Sequence, residues 1–365
     1  MPTIVSDRQL TGADWGFYLT PQTNSGSLDA SPVFKPFRRT DGRAKSTPAY
    51  TTSAEVSLDY NPSNQVQDGR ESVAELSFEA TKDSVGYLIA ALYANEVTVT
   101  DTDTDVASTA TGFTSLSAGF ANFLVGDWFF VGGFANTALN RSYLITAKAS
   151  SNAITTSPVP AAVQAAGASV TVSTKRSRNA NAATYYGGQN RAIDQSKVGG
   201  IDYQTFAIGL INSFSLEVGE SGIIGGSQTI QFGKKLDGNA VVAGQTDSAL
   251  SSDAPLSAVQ NVGGWYYSGA IATCVIKSAT ISVSNENQRD QAAGCGDRYV
   301  RGSNPVITIE GVSRSSVADS MKVRDEFDNA SRVGFAVEFD HGGGDKTIVF
   351  IPRNVVTAWD MPDGQ

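Results

Sequence analysis

Residues 54–93 read AEVSLDYNPSNQVQDGRESVAELSFEATKDSVGYLIAALY, and this stretch decides the fold that the sequence predicts. Ala54–Tyr60 alternates apolar and polar residues, which is typical of a strand with one buried face. The polar stretch Asn61–Ser72 predicts a long loop, and Val73–Glu79 alternates again. Residues 82–93 carry apolar side chains at helical spacing and predict a helix. The stretch is therefore a strand–loop–strand–helix unit.

The predicted helix has one apolar stripe. Val85, Leu88, Ile89 and Leu92 are spaced i, i+3, i+4 and i+7, so they share one face. Thr81 or Asp83 can cap the helix start, because a side-chain oxygen there can accept a free backbone N–H. A helix with one apolar stripe packs that stripe against a sheet.

The same order of elements recurs near the end of the chain. Lys277–Ser284 alternates, residues 285–288 form a polar turn, and Val306–Glu310 alternates again. Ser315–Phe327 predicts a second helix. Two such units indicate a duplicated β architecture, in which the second unit packs beside the first in one sheet system.

Between the two units the composition and the hydrophobic pattern of the sequence change. Residues 98–112 are low in complexity and predict a linker, and Phe123–Phe134 is a hairpin-like run of aromatic residues and glycines. Short strands are predicted at 142–149, 153–156 and 168–173. Many short strands in so few residues are typical of a small barrel or sandwich. We therefore predict a small β domain inserted at 100–180 and a core built from 1–99 and 181–365.

The remaining segments complete a mainly β prediction. Residues 1–50 are predicted to be irregular, apart from an apolar patch at 15–19 and an extended segment at 33–38. The other predicted features are strands at 205–211, 213–218 and 227–232, a turn-rich link at 219–226, a loop at 237–263, a long loop at 288–304 and a final hairpin at 333–339 and 347–351.

Composition and charge exclude several function classes. The 365 residues contain 27 Lys and Arg against 36 Asp and Glu, a net charge of −9. A protein that grips nucleic acid through its phosphates is normally basic, so this chain is expected to repel a polyanion. No apolar run approaches the roughly 18 residues of a membrane helix. The first residues show no secretory signal pattern, and we expect no membrane insertion.

Few residues support catalysis or metal binding. His341 is the only histidine and lies beside three glycines, and no Gly-x-Ser-x-Gly elbow occurs. Asp101, Asp103 and Asp105 imitate the start of a calcium loop, but Val106 and Gly112 stand where a glycine and a glutamate are required. A weak surface calcium site stays open as an alternative. We predict no catalytic residue, no metal and no cofactor.

Carboxylates on predicted strands permit two interpretations. Glu75 and Glu79 alternate with Ser77, and Glu217 and Glu220 lie near another strand end. Paired carboxylates serve glycoside hydrolysis, but strand carboxylates are more often a solvated face. We favour the solvated face, because no aromatic-rich cleft is indicated around them. The basic clusters at 38–45 and 175–178 are interpreted as surface patches or contacts with an acidic neighbour.

Taken together, the segments resemble the major tail tube proteins of bacteriophages with long, non-contractile tails, in the variety with a duplicated β core. The resemblance covers about residues 30–360 and depends on the order of elements. It is carried by 34–38, 54–60 and the following 65–68, 75–79 with the helix at 85–92, 206–218, 278–284, 306–311, the last hairpin, and the run at 125–134, which looks like the small β domain of many such proteins.

The resemblance implies a structural virion protein and no enzyme. Such proteins form hexameric rings that stack helically into a hollow tube, and each subunit adds part of its sheet to a continuous inner barrel. Phage genomic DNA passes through without sequence-specific binding. The implied partners are further copies of the chain, the tape measure protein, and the tail terminator and tip proteins. The implied location is the virion tail, after assembly in the host bacterial cytoplasm.

The resemblance also gives roles to particular residues. The strands at 73–79, 213–218, 227–232 and 306–310 are candidate walls of the channel. The candidate lumen-facing acidic residues are Glu75, Glu79 and Glu217. The candidate inter-ring loop contains Asn61, Gln65, Gln67, Asp68 and Arg70. The inserted domain is expected on the outer surface.

Other functions stay open at this point. The chain could be another phage virion protein, such as a decoration or tail-tip protein. It could be a surface β-sandwich binding module, such as an adhesin, or a carbohydrate-active enzyme. The long loop at 288–304 departs from the family pattern and leaves the loop contacts open.

Overall fold

The computed structural model describes residues 15–23, 27–52, 65–91, 94–166, 169–179, 185–192, 203–236, 241–267, 270–271, 276–292, 295–300, 305–313, 328–329, 332–341 and 346–355. The strands are β1 Trp15–Gln22, β2 Val33–Pro36, β3 Asp41–Thr52, β4 Gln65–Glu79, β5 Ala94–Asp103, β6 Ala107–Ser108, β7 Gly112–Thr114, β8 Trp128–Gly132, β9 Ser142–Ser150, β10 Ala153–Ser157, β11 Val170–Asn179, β12 Tyr185–Ala192, β13 Tyr203–Val218, β14 Gly225–Lys235, β15 Thr246–Asp247, β16 Val262–Tyr267, β17 Ala270–Ile271, β18 Ile276–Ser284, β19 Gln288–Ala292, β20 Cys295–Val300, β21 Val306–Ser313, β22 Arg332–Asp340 and β23 Lys346–Val355. The helices are α1 Lys82–Ala91 and a 3-10 turn at Thr137–Leu139.

The chain is mainly β, as the sequence predicted, and its sheets include a half-barrel. The largest sheet has ten strands, and its path runs β15-β2-β1-β12-β13-β14-β4-β3. Strand β18 pairs with β13, and β21 pairs with β18. The strands β4, β18 and β21 therefore lie in one sheet, which confirms for these strands that the two units share a sheet system.

Strand β13 divides this sheet into two parts. Its first half pairs with β12, and its second half, Ser213–Val218, pairs with β18. The register against β14 shifts between Ile211 and Ser213, which is a bulge, and bulges bend and twist a strand. Beyond this bend the strands β3, β4, β14, β13, β18 and β21 form a continuous antiparallel array.

Helix α1 begins where the sequence predicted. The Ser84 N–H donates to Thr81 Oγ1 at 3.3 Å, and the Thr81 N–H donates to Ser84 Oγ at 2.6 Å. This reciprocal pair is a capping box with serine in the third position, and it confirms Thr81 as the cap. Leu88 is buried in the main core, so the helix packs its apolar side against the sheet.

A second sheet covers the core face of the main sheet. Its order is β17-β16-β22-β23. Phe335, Val337 and Phe339 alternate along β22 and join the main core, which also contains Phe214 and Ile281 from the large sheet. Successive strand residues point to opposite faces, so the residues between them face away from the main core.

The region between β5 and β11 forms its own seven-stranded sheet, in the order β5-β11-β8-β9-β10-β7-β6. This sheet has a separate core rich in phenylalanine, in which Phe113 contacts Tyr143 edge to face with 4.9 Å between the ring centroids. The sheet begins at Ala94 and ends at Asn179. The predicted insertion was 100–180, and its status as an independent domain stays a prediction.

The four-stranded sheet lies between the main core and this seven-stranded sheet. Ala336 and Tyr266, from the face opposite Phe335 and Trp265, form a small cluster with Trp128 of the seven-stranded sheet. The rings of Trp128 and Tyr266 are 4.5 Å apart at their centroids. The molecule is therefore layered, with the seven-stranded sheet on the side away from the large sheet.

A buried polar group lies within the four-stranded sheet, on the side of this junction. The Tyr266 hydroxyl donates to Glu338 Oε2 at 3.1 Å, and Lys346 Nζ lies 2.5 Å from Glu338 Oε1. Burial, together with the charge of Glu338, raises the pKa of Tyr266 to about 12. Glu338 is only 3% exposed, and a buried carboxylate is costly unless it is paired and hydrogen-bonded, as it is here.

Several predictions were wrong, because strands formed where the sequence shows no apolar alternation. Residues 41–52, predicted irregular, form β3, which is held by its backbone pairing with β4. Residues 98–103, predicted as a linker, belong to β5, which pairs with β11 over ten residues. Lys175–Asn179, predicted as a closing polar stretch, lies in the same ladder. The predicted loop at 288–304 contains the hairpin β19–β20.

Other predictions hold or fall outside the described residues. The strands predicted at 142–149, 153–156, 168–173, 205–211, 213–218, 227–232, 277–284 and 306–310, and the final hairpin, are confirmed. The predicted strand at 54–60 and the predicted helix at 315–327 lie outside the described residues. Within the part of the chain that the structure describes, we find no helix with the length and apolar character needed to cross a membrane.

Candidate functional site

One face of the six-stranded array β3-β4-β14-β13-β18-β21 is polar, and we call it the open face. Directly paired residues in a sheet share a face, so the strand registers define three rows across it. The first row is Arg43, Glu75, Thr229, Ser213, Ser284 and Val306. The second is Asp41, Ser77, Ser227, Ser215, Ser282 and Thr308. The third is Glu79, Gly225, Glu217, Thr280 and Glu310.

Burial confirms that these rows face away from the core. Glu75, Ser77 and Glu217 are exposed, whereas the alternating residues of the same strands are buried. On the core side, Leu76 is 2% exposed and Leu216 is 0% exposed. The alternation that predicted the strands therefore separates an apolar face from a solvated one.

Hydroxyl groups dominate the open face. Nine of the 17 row positions are serine or threonine, five are acidic and one is basic. The hydroxyls of Ser215 and Ser227 lie 2.9 Å apart on neighbouring strands. The rows contain no aromatic side chain, and their only apolar one is Val306. The rows therefore present hydroxyls and scattered carboxylates, and no ring on which a base or sugar could stack.

The structure brings the three predicted acidic residues together on this face. Glu79 and Glu217 share the third row, and Glu75 lies in the first. Glu310 also lies in the third row, through Thr280, and sequence analysis missed it as a site residue. Its position in the alternating segment 306–310 was the available signal. The residues Glu79, Glu217 and Glu310 are separated by two strand spacings each, about 10 Å.

The open face is concave at one side. A groove of about 910 Å³ runs over β3, β4 and β14. Arg43 and Lys45 line it from β3, and Glu71 and Glu75 line it from β4. Arg39 also lines the groove and donates to the Gly42 and Trp15 carbonyls, whereas Arg38 donates to the Asp253 carbonyl. Arg43 and Lys45 place the positive charge at the β3 side.

The residues of the predicted inter-ring loop lie mostly in a strand. Gln65, Gln67, Asp68 and Arg70 are part of β4, so the prediction of a loop was wrong for them; Asn61 lies outside the described residues. Strand β4 pairs with β14 only from Ser72 onward, whereas it pairs with β3 along its whole length. Residues 47–52 and 65–71 therefore form a two-stranded ribbon beyond the sheet, which we call the arm. No core pattern marks it, because neither strand has a core to cover.

The array ends in β3 on one side and β21 on the other. Within the described residues, β3 forms a strand ladder only with β4, and β21 only with β18; on the outer side of β3, the Ala44 N–H and carbonyl bond the Asn190 side chain of β12. Pro48 lies in β3 opposite Arg70, where the arm leaves the sheet. Proline lacks the N–H of a ladder bond, so it limits the pairing of this edge to the part within the sheet.

The aspartates at 103 and 105 and the single histidine, which sequence analysis set aside, are engaged in local hydrogen bonds. Asp105 accepts hydrogen bonds from Ser115 and from Ser117, and Asp103 accepts one from Ser117. Among the described residues there is no group of three or more His, Cys, Asp or Glu side chains that could hold a metal ion. His341 Nε2 lies 2.8 Å from Thr347 Oγ1, across the last hairpin.

Comparisons with known proteins add no assignment. No protein-family model matches the chain, and a search of curated proteins finds no match.

Proposed function

We propose that the chain is a structural virion protein of the tail tube class, which forms hexameric rings that stack into a tube. The observation that carries the proposal is the open face. It is a hydroxyl-rich sheet surface with five carboxylates in its rows, and it is backed by a continuous apolar core. A polar face of this extent, exposed within the part of the chain that the structure describes, suits the inner wall of a water-filled conduit.

The two edges support ring formation. The strands alternate in direction across the array, so β21 of one copy and β3 of the next run antiparallel when placed side by side, with Ala44, whose N–H and carbonyl bond the Asn190 side chain, outside that contact. The two edges are different surfaces, and a heterologous contact of this kind closes into a ring when its rotation fits. Closure also removes exposed edges, which would otherwise recruit other chains.

The wall chemistry supports passage of DNA without binding. Six copies of a chain with net charge −9 carry −54 in total. Glu75, Glu79, Glu217 and Glu310 add negative charge on the proposed lumen side, where a phosphate backbone is repelled. The absence of aromatic side chains from the rows removes stacking sites for bases.

The layered fold supports the proposed outer position of the small sheet. The open face and the seven-stranded sheet lie on opposite sides of the main core. With the open face inward, the seven-stranded sheet decorates the outside. The arm projects along the strand direction, which suits a contact with an adjacent ring.

An edge variant tests ring formation. Val306 and Val312 on β21 are 53% and 56% exposed, and Val306→Lys with Val312→Lys places charges on the edge while leaving the β18 pairing intact. Both lysines lie on the open-face side of β21, where the β3 of a neighbouring copy would bring the exposed Arg43 and Lys45, so like charges oppose the contact. We expect the wild type to form rings or tubes with a channel of about duplex width by negative-stain electron microscopy, and the variant to remain a folded monomer in size-exclusion chromatography.

The matched control is Val159→Lys with Val163→Lys, which changes two valines, 57% and 70% exposed, in the loop between β10 and β11 of the small sheet. It should assemble normally. A wild-type chain that stays monomeric at high concentration and binds glycans would overturn the proposal in favour of a binding module. The aromatic-free rows of the open face disfavour that alternative, because glycan platforms depend on aromatic stacking.

A further inference from the structure

Three charged side chains meet on the face of the four-stranded sheet that looks toward the small sheet. Glu338 and Asp340 alternate along β22 and point to the face opposite Phe339, whose side chain lies in the main core. Lys346, at the start of β23, is paired directly with Asp340 and so shares its face. Lys346 Nζ lies 2.5 Å from Glu338 Oε1 and 3.7 Å from Asp340 Oδ2. We call Glu338, Asp340 and Lys346 the hairpin cluster.

The surroundings shield the hairpin cluster from water. The side chains of Lys346 and Asp340 are 18% and 36% exposed, and Glu338 is buried. The ring of Phe130, from the small sheet, has its centroid 5.9 Å from Lys346 Nζ. A Cβ at Gly263 would lie only 2.8 Å from Glu338 Oε1, so β16 leaves room for this carboxylate by carrying glycine there. The cluster is therefore enclosed by strands of both sheets.

Glu338 is oriented by a second group. The Tyr266 hydroxyl donates to Glu338 Oε2 and also has Arg141 as a side-chain hydrogen-bond partner. Tyr266 keeps its proton at neutral pH, because burial and the charge of Glu338 raise its pKa to about 12. One oxygen of Glu338 is thereby fixed, and the other is presented to Lys346 Nζ. A base held by a third group beside an amine is the arrangement that activates a nucleophile.

We propose that Lys346 and Asp340 condense into an amide, which joins Nζ to Cγ covalently across the last hairpin, with Glu338 as the base and acid of the reaction. Glu338 accepts a proton from the ammonium group, and the neutral amine attacks Asp340 Cγ. The Nζ–Cγ bond forms and a Cγ–Oδ bond breaks. The released oxygen leaves as water with two of the three ammonium protons, and the third proton stays on the amide nitrogen. Glu338 ends as the carboxylate that it was at the start.

Proximity and burial both favour this condensation. Directly opposite residues have Cβ atoms about 5 Å apart, a distance that the lysine side chain spans. Groups held in contact react as if at a concentration on the order of 10⁵ M or more, which offsets the excess of water that otherwise opposes amide formation. Taking two charges out of water is costly, and the amide removes the charges of both Lys346 and Asp340. The reaction takes place within one folded chain, so it does not depend on the proposed assembly.

Intact mass spectrometry of the full-length chain tests the condensation. We expect the folded protein to have a mass about 18 Da below that of its sequence, because one water is lost when the lysine amine forms its covalent bond. Proteolysis and tandem mass spectrometry should then give a branched peptide that joins Lys346 to Asp340. The peptides of Lys277 and Glu220, a more exposed pair 3.5 Å apart, are the internal control and should be unlinked.

Two results with the wild-type chain would overturn the proposal. The first is a folded protein that keeps its full mass and gives no branched peptide after days of incubation. The second is an amide from Lys346 to Glu338, which would show that Asp340 is not the acceptor and that Glu338 does not act as the base.

Variants assign the roles of the two partners. Lys346→Arg keeps a positive charge beside Glu338 but cannot form this amide, so it should fold and have its full mass. Glu338→Gln should form the branched peptide at least about a hundredfold more slowly in freshly made protein, because the proton carrier is lost. Circular dichroism checks that both variants fold, and Lys346→Arg keeps the test decisive if Glu338→Gln does not.

The matched control is Lys148→Arg, which changes a lysine of the small sheet that donates to backbone carbonyls. This variant should lose the same water as the wild type. Loss of water from Lys346→Arg, or an undiminished rate in folded Glu338→Gln, would contradict the assigned roles.

Discussion

Asn285 joins three elements of the main core. It is 0% exposed, and its side-chain amide donates to the carbonyls of Ala91 at 2.9 Å and Ile211 at 2.8 Å. It thereby connects the end of α1, the bulge of β13 and the end of β18. The Ala91 carbonyl is at the end of α1 and the Ile211 carbonyl is at the bulge of β13, where the regular backbone hydrogen bonds are interrupted. The Asn285 side chain supplies a hydrogen-bond donor to both carbonyls.

We predict that Asn285→Ala lowers the free energy of unfolding by about 2 kcal/mol, because it removes two buried hydrogen bonds and takes this donor from the Ala91 carbonyl, whereas the Ile211 carbonyl keeps Asn287 Nδ2 at 3.2 Å. Urea unfolding followed by tryptophan fluorescence measures the change. Ser284→Ala, at the exposed neighbouring position, is the control and should change stability by less than about 0.5 kcal/mol. Equal stability of both variants would show that these bonds contribute nothing.

Arg191 holds a loop to the main sheet. It lies over the Tyr18 ring at 3.8 Å and forms two hydrogen bonds with Asp247, at 2.6 and 2.8 Å. Its side chain is 9% exposed, whereas that of Asp247 is 51% exposed. The hydrogen bonds from Arg191 lower the pKa of Asp247 below its usual value, although partial burial opposes the change.

The contribution of Asp247 to the free energy of unfolding should therefore depend on pH. A lowered folded-state pKa means that the contribution is complete above the unfolded value, about 3.9, and is lost as the pH falls through the folded value. We predict that Asp247→Asn is less stable than the wild type at about pH 7 and equally stable at about pH 2. Urea unfolding across this range tests it, with Glu310→Gln as the exposed control. A difference that persists at the lowest pH would contradict the pairing.

At the scale of elements, the ribbon β5–β11 connects the small sheet to the core. Ala94 pairs with Asn179 and Thr100 with Ser173, so the two connections run side by side over ten residues. Strand β8 pairs with β11 only at residues 171–173. The lower part of the ribbon is therefore a two-stranded stalk, and the contact of Trp128 with Tyr266 fixes the sheet that it carries.

Because the two strands of the stalk run side by side, the small sheet can be deleted without changing the stalk. Joining Thr100 to Ser173 by Asn-Gly, a favoured two-residue hairpin turn, removes 101–172 and keeps the stalk. Ile348→Thr and Phe350→Thr should be added, because the excision uncovers these side chains. We predict a folded protein that still forms tubes, of smaller outer diameter in electron micrographs.

The control for this excision is the full-length chain with the same two threonine substitutions, which separates loss of the sheet from loss of the apolar contact. Failure of the excised chain alone to form rings would show that the small sheet takes part in the ring wall.

At the scale of the whole molecule, the charges in the rows of the open face should determine whether that surface attracts or repels DNA. Replacing Glu79, Glu217 and Glu310 by Arg reverses three charges in one row and changes nothing in the core. We predict normal assembly, together with retention of duplex DNA in filter-binding assays. That binding should fall by about a thousandfold between 50 and 200 mM salt, because it depends on counterion release.

Wild-type tubes should retain no DNA at either salt concentration. The control replaces the same three residues by Gln, which removes charge without adding any. DNA retention by the wild type, or none by the arginine variant, would show that this row is not on the wall of the channel.

The sequence by itself determined which strands have a buried face. In 73–79, 213–218, 277–284 and 306–310 the alternation records the contrast between core and solvent, and it assigned Glu75, Glu79 and Glu217 to the polar side of their strands. It also determined helix α1, because its cap and its apolar stripe are local. Patterns of this kind can be predicted because they depend only on residues close together along the chain.

Only the tertiary structure decided which strands become neighbours. Residues 41–52 and the arm show no sustained apolar alternation, and Ala94–Asp103 shows it only at Val97 and Val99. These segments are held by backbone hydrogen bonds to a partner strand that the sequence does not mark. The row that joins Glu79, Glu217 and Glu310 arises from pairings across more than 200 residues of chain. Alternation fixes the face of a residue within its own strand, whereas register across strands is set by the closing of the whole sheet over one core.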